Sequence, residues 1–455
     1  MSLTHGQELG YNVMMAGYNT FLTGGAGVGK TYTLNKFVDD SVKQGKNVML
    51  TAPTGIAALN IGGVTIHRQF EAPVGVITYN KDSYDPSDEL VYTDIVIIDE
   101  ISMCRIDLFE FVCNKILDAN ARRKRHGLKV IQLIVSGDFF QLPPVILPAE
   151  KVKLDDYYGQ DIGVGFAFQS KMWELFDFKS VLLTEIVRQS DQEFIGNLNR
   201  VRVGEKAYID YIFNNACNKE IESAITICGT NAEANKKNEI ELSKINSPYV
   251  TYTAELNGDV NQSDVTVDFN LVLKEGARVM TLVNAKGDGY RNGQLGVVVA
   301  LYDNSVVIQM DDGYIQYVDR FEFEVFRYEL ENVDGVQKLV EKRVGSVKQF
   351  PVKLAYAITI HKSQGQTYDA VNLSPYSWDC GQLYVAISRV KSLDKLHFNY
   401  KPDMQYIVVS LNVIKFYNSL NIATEEDIER AVNQKQETVE KTDIDYDMEK
   451  ILSLL

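Results

Sequence analysis

Cysteine is scarce in this chain: five residues in 455, at positions 104, 113, 217, 228 and 380, with no CxxC pair. Thiols so scattered speak against a disulfide framework or a zinc site and favour a reducing interior. Long apolar runs are missing too, and none approaches the roughly 20 residues that a bilayer-crossing helix needs. The first residues, MSLTHGQELGYNVMM, carry neither a basic flank with an apolar core nor an Arg/Ser-rich pattern, so no signal or transit peptide is expected. Bases are outnumbered, 46 against 61 acids, for a net charge of −15. That balance favours solubility and discourages diffuse binding to nucleic acid, although it leaves room for a local basic groove. The one dense basic spot, Arg122-Arg-Lys-Arg-His126, reads as a solvated loop between a helix and a strand. No repeat at a solenoid period is found.

What remains is an ordinary globular composition, long enough for two to four domains. The first 180 residues alternate β-rich runs (NTFLT, NVMLTA, DIVIID, KVIQLIVSGD) with helical patterns. Such alternation predicts an α/β fold, a parallel sheet covered on both faces. From about 250 to 350 the texture changes to short alternating runs split by KGDGYRNG, DN and DDG. Those are hairpin signals, and they predict a small antiparallel barrel inserted into a second α/β domain. The tail from 422 is polar and acidic, with helical spacing near its end.

Gly24-Gly-Ala-Gly-Val-Gly-Lys-Thr31 fits G-x-x-x-x-G-K-[ST]. Background frequencies predict on the order of 0.02 such matches in a chain of this length. A strand leads in and a helix leads out, the arrangement that aims backbone N–H groups and a helix N-terminus at phosphate oxygens. Gly24, Gly25, Ala26, Gly27, Val28 and Gly29 would wrap the phosphates, Lys30 would reach their terminal oxygens, and the Thr31 hydroxyl would hold Mg²⁺. DIVIIDE ends in Asp99-Glu100 at a sheet edge where ligands of such folds bind. Asp99 would hold Mg²⁺ through water, and Glu100 would activate the attacking water. An enzyme that hydrolyses a nucleoside triphosphate is the expectation.

Further motifs follow in order: TAPTGIAALNIGGVTIHRQF (51–70), IIDEISM, GDFFQLPPV (137–145), LTEIVRQ, YAITIHKSQGQTYDAVNL (356–373) and LYVAISRVKSLDKL (383–396). In this series the chain resembles the superfamily 1 DNA helicases of the Pif type, with their RecD and Dda relatives, from Gln7 to about Leu396. The resemblance implies two RecA-like domains with ATP between them and single-stranded DNA across the top. Domain 1A would span 1–180, with a β-hairpin pin insert at about 71–94. Domain 2A would comprise 181–248 and 350–420, with an SH3-like insert at 249–349 and an acidic helical tail at 421–455. It also implies that Gln141 senses the γ-phosphate, that Arg188 and Arg389 neutralise the transferring phosphate, and that Gln7 reads adenine. Gly365 would approach the γ-phosphate, while Thr54, His67, Thr359, His361, Lys362 and Ser363 would touch DNA.

An amide at position 141 can donate to phosphate and accept from water, and Pro143 and Pro144 would stiffen its exit. The function so implied is Mg²⁺- and ATP-dependent unwinding, 5′-to-3′, by a cytoplasmic monomer of bacterial or phage origin. Its partners would be single-stranded, forked or G-quadruplex DNA, with no membrane. Two alternatives stay open: a translocase that strips proteins from single strands, and a DNA clamp switched by ATP. A metabolic P-loop kinase would have no need of the 356–396 motifs.

Overall fold

Runs of β-branched and aliphatic residues build two parallel sheets in the computed structural model, which describes residues 2–73, 75–78, 86–185, 191–222, 224–285, 289–333 and 336–430. The described residues fall into two compact units, one from 1–189 together with 410–455, the other from 190–409.

In the first unit six parallel strands lie in the order Val64–Thr65, Val48–Ala52, Ile95–Ile98, Gln132–Gly137, Thr20–Gly24, Lys179–Leu183. The central strands Thr20–Gly24, Ile95–Ile98 and Gln132–Gly137 are buried along their whole length, as strands covered on both faces must be. Val13, Leu22, Phe37, Ile97, Ile134 and Val181 share one core there. An aromatic cluster fills the other face. Phe139 lies 4.8 Å from Phe168, 5.5 Å from Phe21 and 5.7 Å from Trp173, ring centre to ring centre.

The C-terminal part of the chain returns to this unit, and here the expected boundary shifts. The helix Leu411–Asn418, read from sequence as the end of domain 2A, stacks Phe416 on Phe168 at 4.2 Å. Residues 421–427 then cover the sheet edge. Ser180 N–H donates to the Asn421 carbonyl, Ala423 N–H donates to the Ser180 carbonyl, and Lys179 pairs with Asp427 at 2.9 Å. An open edge strand exposes unpaired backbone groups, and this segment satisfies them.

One further expectation changes. Arg122–Arg125 form the last turn of the helix Ile106–Arg125, not a loop, and Arg123 is buried. Its guanidinium donates to the carbonyls of Lys129, Val91 and Thr93 and pairs with Asp94 at 2.9 Å. Among the described residues of 71–94 there is no strand pair. Residues 88–91 form a helical turn because the Ser87 hydroxyl accepts from Leu90 N–H and Asp88 and Glu89 sit at the positive end. Residues 74 and 79–85 lie outside the described ones.

The second unit holds a four-stranded parallel sheet ordered Ala357–Thr359, Ile225–Cys228, Val371–Leu373, Leu396–Phe398. Its antiparallel part is a five-stranded sheet running Ile315–Asp319, Ser305–Met310, Leu295–Leu301, Arg278–Thr281, Val352–Leu354. Val279, Val298, Ile308, Phe350 and Val352 pack at its centre. Beside it stands a long hairpin, Phe321–Val333 with Val336–Gln349, whose extent the short runs in the sequence did not reveal. Among the described residues no helix is long and apolar enough to cross a membrane.

Candidate functional site

The phosphate loop joins the buried strand Thr20–Gly24 to the 14-residue helix Lys30–Lys43. Two glycines are dictated by space. A Cβ on Gly24 would sit 2.4 Å from the Leu183 carbonyl oxygen, and one on Gly29 would sit 2.4 Å from the Gln7 Nε2. Gly29 also has φ +81°, the left-handed region that other residues enter at a cost. The helix starts without a side-chain cap and without an acid in its first turn. Its first N–H groups and positive dipole end therefore stay available to an anion. The Lys30 ammonium donates to the Gly24 carbonyl at 2.9 Å and the Gly25 carbonyl at 3.1 Å, folding over the loop that would hold phosphate. Gln7 is buried and braces the same loop: its Nε2 donates to the Val28 carbonyl at 3.0 Å, and its Oε1 accepts from Thr4 N–H at 3.1 Å.

Beside this loop the strand Ile95–Ile98 delivers Asp99 and Glu100 to the same edge of the sheet. Asp99 is buried, and burial first, then the Glu100 charge, push its carboxyl up to about 6. Glu100 has φ +51°, an uncommon conformation for a residue with a side chain, and such residues cluster at functional sites. The turn fits because its neighbour is Gly137, where a Cβ would lie 2.9 Å from the Ile101 nitrogen. Thr31 and Asp99 offer only hard oxygen donors. Among the described residues no cluster of three or more His, Cys, Asp or Glu could cage a metal alone. That donor set suits Mg²⁺, which keeps waters and binds through one carboxylate and phosphate oxygens.

Gln141 sits where the next strand ends, buried, its N–H on the Asp138 carbonyl at 2.8 Å and its Nε2 3.5 Å from Asp138 Oδ2. Asp138, which the sequence reading passed over, is the hub of this turn. Its other oxygen accepts from Phe140 N–H at 3.2 Å and from the Tyr417 hydroxyl at 3.3 Å. The Tyr417 oxygen also lies 2.6 Å from Thr23 Oγ1 and accepts from Phe139 N–H at 3.3 Å. One phenol thus ties the strand before the phosphate loop to the turn that carries Gln141.

In the second unit Arg389 is buried, not exposed. Its guanidinium donates to the carbonyls of Val385 at 2.8 Å, Ser363 at 3.1 Å and Gln366 at 3.0 Å, and to Ser388 Oγ at 2.7 Å. It therefore clamps the turn containing Gly365, which has φ +75°. Arg188 lies outside the described residues.

Thr54 and Thr359 play matching local parts in the two units. Each hydroxyl accepts a backbone N–H three residues on, from Ala57 at 3.3 Å and Lys362 at 3.4 Å. His67 and His361 are half-buried, and burial lowers both imidazoles below their ordinary value, so they are neutral donors more than cations. Lys362 is exposed. Ser363 departs from the expectation of a DNA contact: it is fully buried, and its hydroxyl donates to the Ile360 carbonyl at 2.7 Å. Phe70 belongs to the core.

Three comparisons bear on this site. The family model for PIF1-like helicases matches residues 7–210. ATP-dependent DNA helicase Pif1 of Campylobacter jejuni is 31% identical over 453 residues, covering 89% of this chain and 95% of the relative. Crystal structures of a Bacteroides Pif1, one bound to single-stranded DNA and one with ADP-AlF3 and single-stranded DNA, superpose with TM-scores of 0.73. Each is 34% identical and covers 92% of this chain and 97% of its own.

Proposed function

The chain belongs to the PIF1-like helicase family, and we propose from its own residues how it works as an ATP-dependent DNA helicase built on two RecA-like domains. It translocates on single-stranded DNA, consuming ATP.

The phosphate loop carries the reading. ATP would lie with its phosphates over Gly24–Thr31, where Lys30 exchanges the Gly24 and Gly25 carbonyls for phosphate oxygens. Gln7 would hold the loop in shape and turn its remaining amide proton to the adenine. Thr31 and Asp99 would hold Mg²⁺, whose charge offsets that of the phosphates. Glu100, fixed by its turn, would orient and deprotonate the attacking water. Gln141, held through Asp138, would report the terminal phosphate.

A phosphate that drew the Arg389 Nη1 toward it would cost this nitrogen the Ser363 and Gln366 carbonyls. Such an exchange would couple nucleotide state to the Thr359–Lys362 turn, which we assign to the DNA backbone together with Thr54 and His67. Arg188 would add a second cation to the transferring phosphate, and Gly365 would bring backbone N–H close to it. Ser363 would then act through the turn and not by touching DNA.

We further propose 5′-to-3′ movement, action as a monomer on forked and G-quadruplex DNA, and work in the cytoplasm of a bacterial or phage-infected cell. Strand displacement on 5′-tailed, 3′-tailed and blunt duplexes tests the motor. Unwinding of the 5′-tailed substrate with Mg²⁺ and ATP is expected. Exclusive use of the 3′-tailed one would reverse the polarity, and ATP consumption with every duplex intact would leave a translocase.

A further inference from the structure

Within the second unit a cavity of about 270 Å³ opens beside the Thr359–Lys362 turn, walled in part by Asn235, Thr266, Asp268, Lys353, Thr359 and Lys362. Two ammonium groups converge on this hollow. Lys353 is half-buried on the strand Val352–Leu354, and among the described residues neither it nor Lys362 makes a salt bridge. Burial first, and then the Lys362 charge, lower Lys353 to about 8 against the pull of Asp268. Burial raises Asp268 in turn, while both lysines pull it down. Glu239 completes the charged groups of the lining.

A partly desolvated cation that faces a like charge without an ion pair destabilises the free protein. An anion in the hollow removes that penalty by giving both lysines a partner. Neutral donors surround the site, in Asn235 and the hydroxyls of Thr266 and Thr359. Lysine with neutral amides and hydroxyls is the side-chain set that holds a phosphodiester without reading sequence.

We propose that Lys353, with Asn235 and Thr266, forms a phosphate-binding subsite that grips the backbone of single-stranded DNA one step beyond the Thr359–Lys362 turn. The inference rests on the DNA-motor reading and adds a contact that the family motifs do not supply. Because the free amine loses its proton near pH 8, a phosphate bound there takes up a proton with it. Affinity then falls up to tenfold per pH unit above that point, until the bound-state value is passed.

The test is fluorescence anisotropy of the full chain with a labelled oligo-dT, without nucleotide, across pH 7–9 and several salt concentrations. For the wild type, affinity should fall on the alkaline side. Lys353→Met should weaken binding, flatten the pH profile and reduce the salt slope by about 0.7, the contribution of one single-strand phosphate. Lys353→Arg should keep the affinity yet also flatten the profile, because a guanidinium does not titrate there. It also carries the test should Lys353→Met misfold. Lys362→Met should weaken binding but retain a pH dependence moved to higher pH, since the repelling charge is gone.

Wild type and Lys353→Met with the same affinity, slope and profile would overturn the subsite while leaving the DNA reading intact. A wild type that binds no oligonucleotide at all would instead defeat the DNA reading. Inorganic phosphate, titrated as a competing probe, separates the two sources of the anion. Competition only at millimolar levels supports a backbone subsite. Saturation at micromolar phosphate with unchanged DNA affinity of Lys353→Met would assign the hollow to a free anion and overturn the proposal.

Discussion

Removing a single oxygen, in Tyr417→Phe, tests whether the C-terminal helix serves the hydrolysis site. The ring stays, so its packing against Phe140 at 4.7 Å and Phe21 at 6.4 Å is kept. What goes is a hydroxyl that donates to the buried Asp138 carboxylate and receives Phe139 N–H and the Thr23 hydroxyl. A hydrogen bond to a charged group contributes about 1.5–3 kcal/mol, and the donors left behind add a further fraction. The cost to the first unit should be about 2–3 kcal/mol. For a unit of this size that lowers its melting transition by about 5–10 °C. Asp138 also faces the Gln141 amide at 3.5 Å, so the loss should reach chemistry as well as stability. A catalytic group displaced by about 1 Å can cost 10²-fold, so kcat for DNA-stimulated phosphate release should fall about 10- to 100-fold with the KM for ATP nearly unchanged. The decisive assay is the cycle with Gln141→Ala. If Tyr417 acts through Gln141, then Tyr417→Phe adds little in that background. Full additivity, or a lowered melting point with kcat intact, would reduce Tyr417 to a structural prop.

Three further outcomes are expected. Lys30→Ala should lower hydrolysis by more than about 10³-fold while nucleotide-free binding to single strands stays within about twofold, because Lys30 lies on the phosphate loop; stopped-flow phosphate release and anisotropy measure the two. Arg389→Lys keeps the charge but cannot satisfy the carbonyls of Val385, Ser363 and Gln366 together, so hydrolysis should drop about 10²-fold; a rate above a tenth of wild type would sink the clamp. Asp99, raised to about 6 by burial and Glu100, binds its proton more tightly folded than unfolded, so its contribution to stability is present at low pH and fades as pH rises through about 6. Mg²⁺ needs the ionised form, so its affinity in the nucleotide complex should weaken up to tenfold per unit below about pH 6, a slope that Asp99→Asn abolishes in a Mg²⁺ titration.

The phosphate loop was legible because its residue types follow from the local backbone: Gly24 and Gly29 have φ +146° and +81°, which disfavour a side chain before Leu183 and Gln7 close the space around them. Asp99 and Glu100 were legible for a similar reason, a fully buried strand ending in acids. Gln141 could be named from its motif, but not what fixes it. The phenol that holds its turn is 279 positions from Asp138, and no local pattern marks Tyr417. The burial of Ser363 was not legible because a helix of four residues has no periodicity from which an inward face can be read. Arg123 escaped notice for the opposite reason: three basic neighbours disguise one whose stem and head are both buried.

Arg389 and Ser363 together would give the proposed coupling a material basis. The residues Thr359–Ser363 form one cap and one turn, closed by the Thr359 hydroxyl at one end and by the Ser363 hydroxyl on Ile360 within. The carbonyl of that same Ser363 is one of the acceptors of Arg389. A guanidinium drawn onto phosphate leaves this carbonyl with the Gln366 N–H alone, 3.1 Å away, and the turn loses its tie to Arg389. The smallest available movement is of the turn itself, because the neighbouring strand Ala357–Thr359 is held on Ile225–Cys228 by the sheet. Nucleotide and DNA would in that case be linked through the Ser363 and Gln366 carbonyls that Arg389 holds. The linkage is reciprocal: whatever factor nucleotide imposes on DNA affinity, DNA must impose on nucleotide affinity.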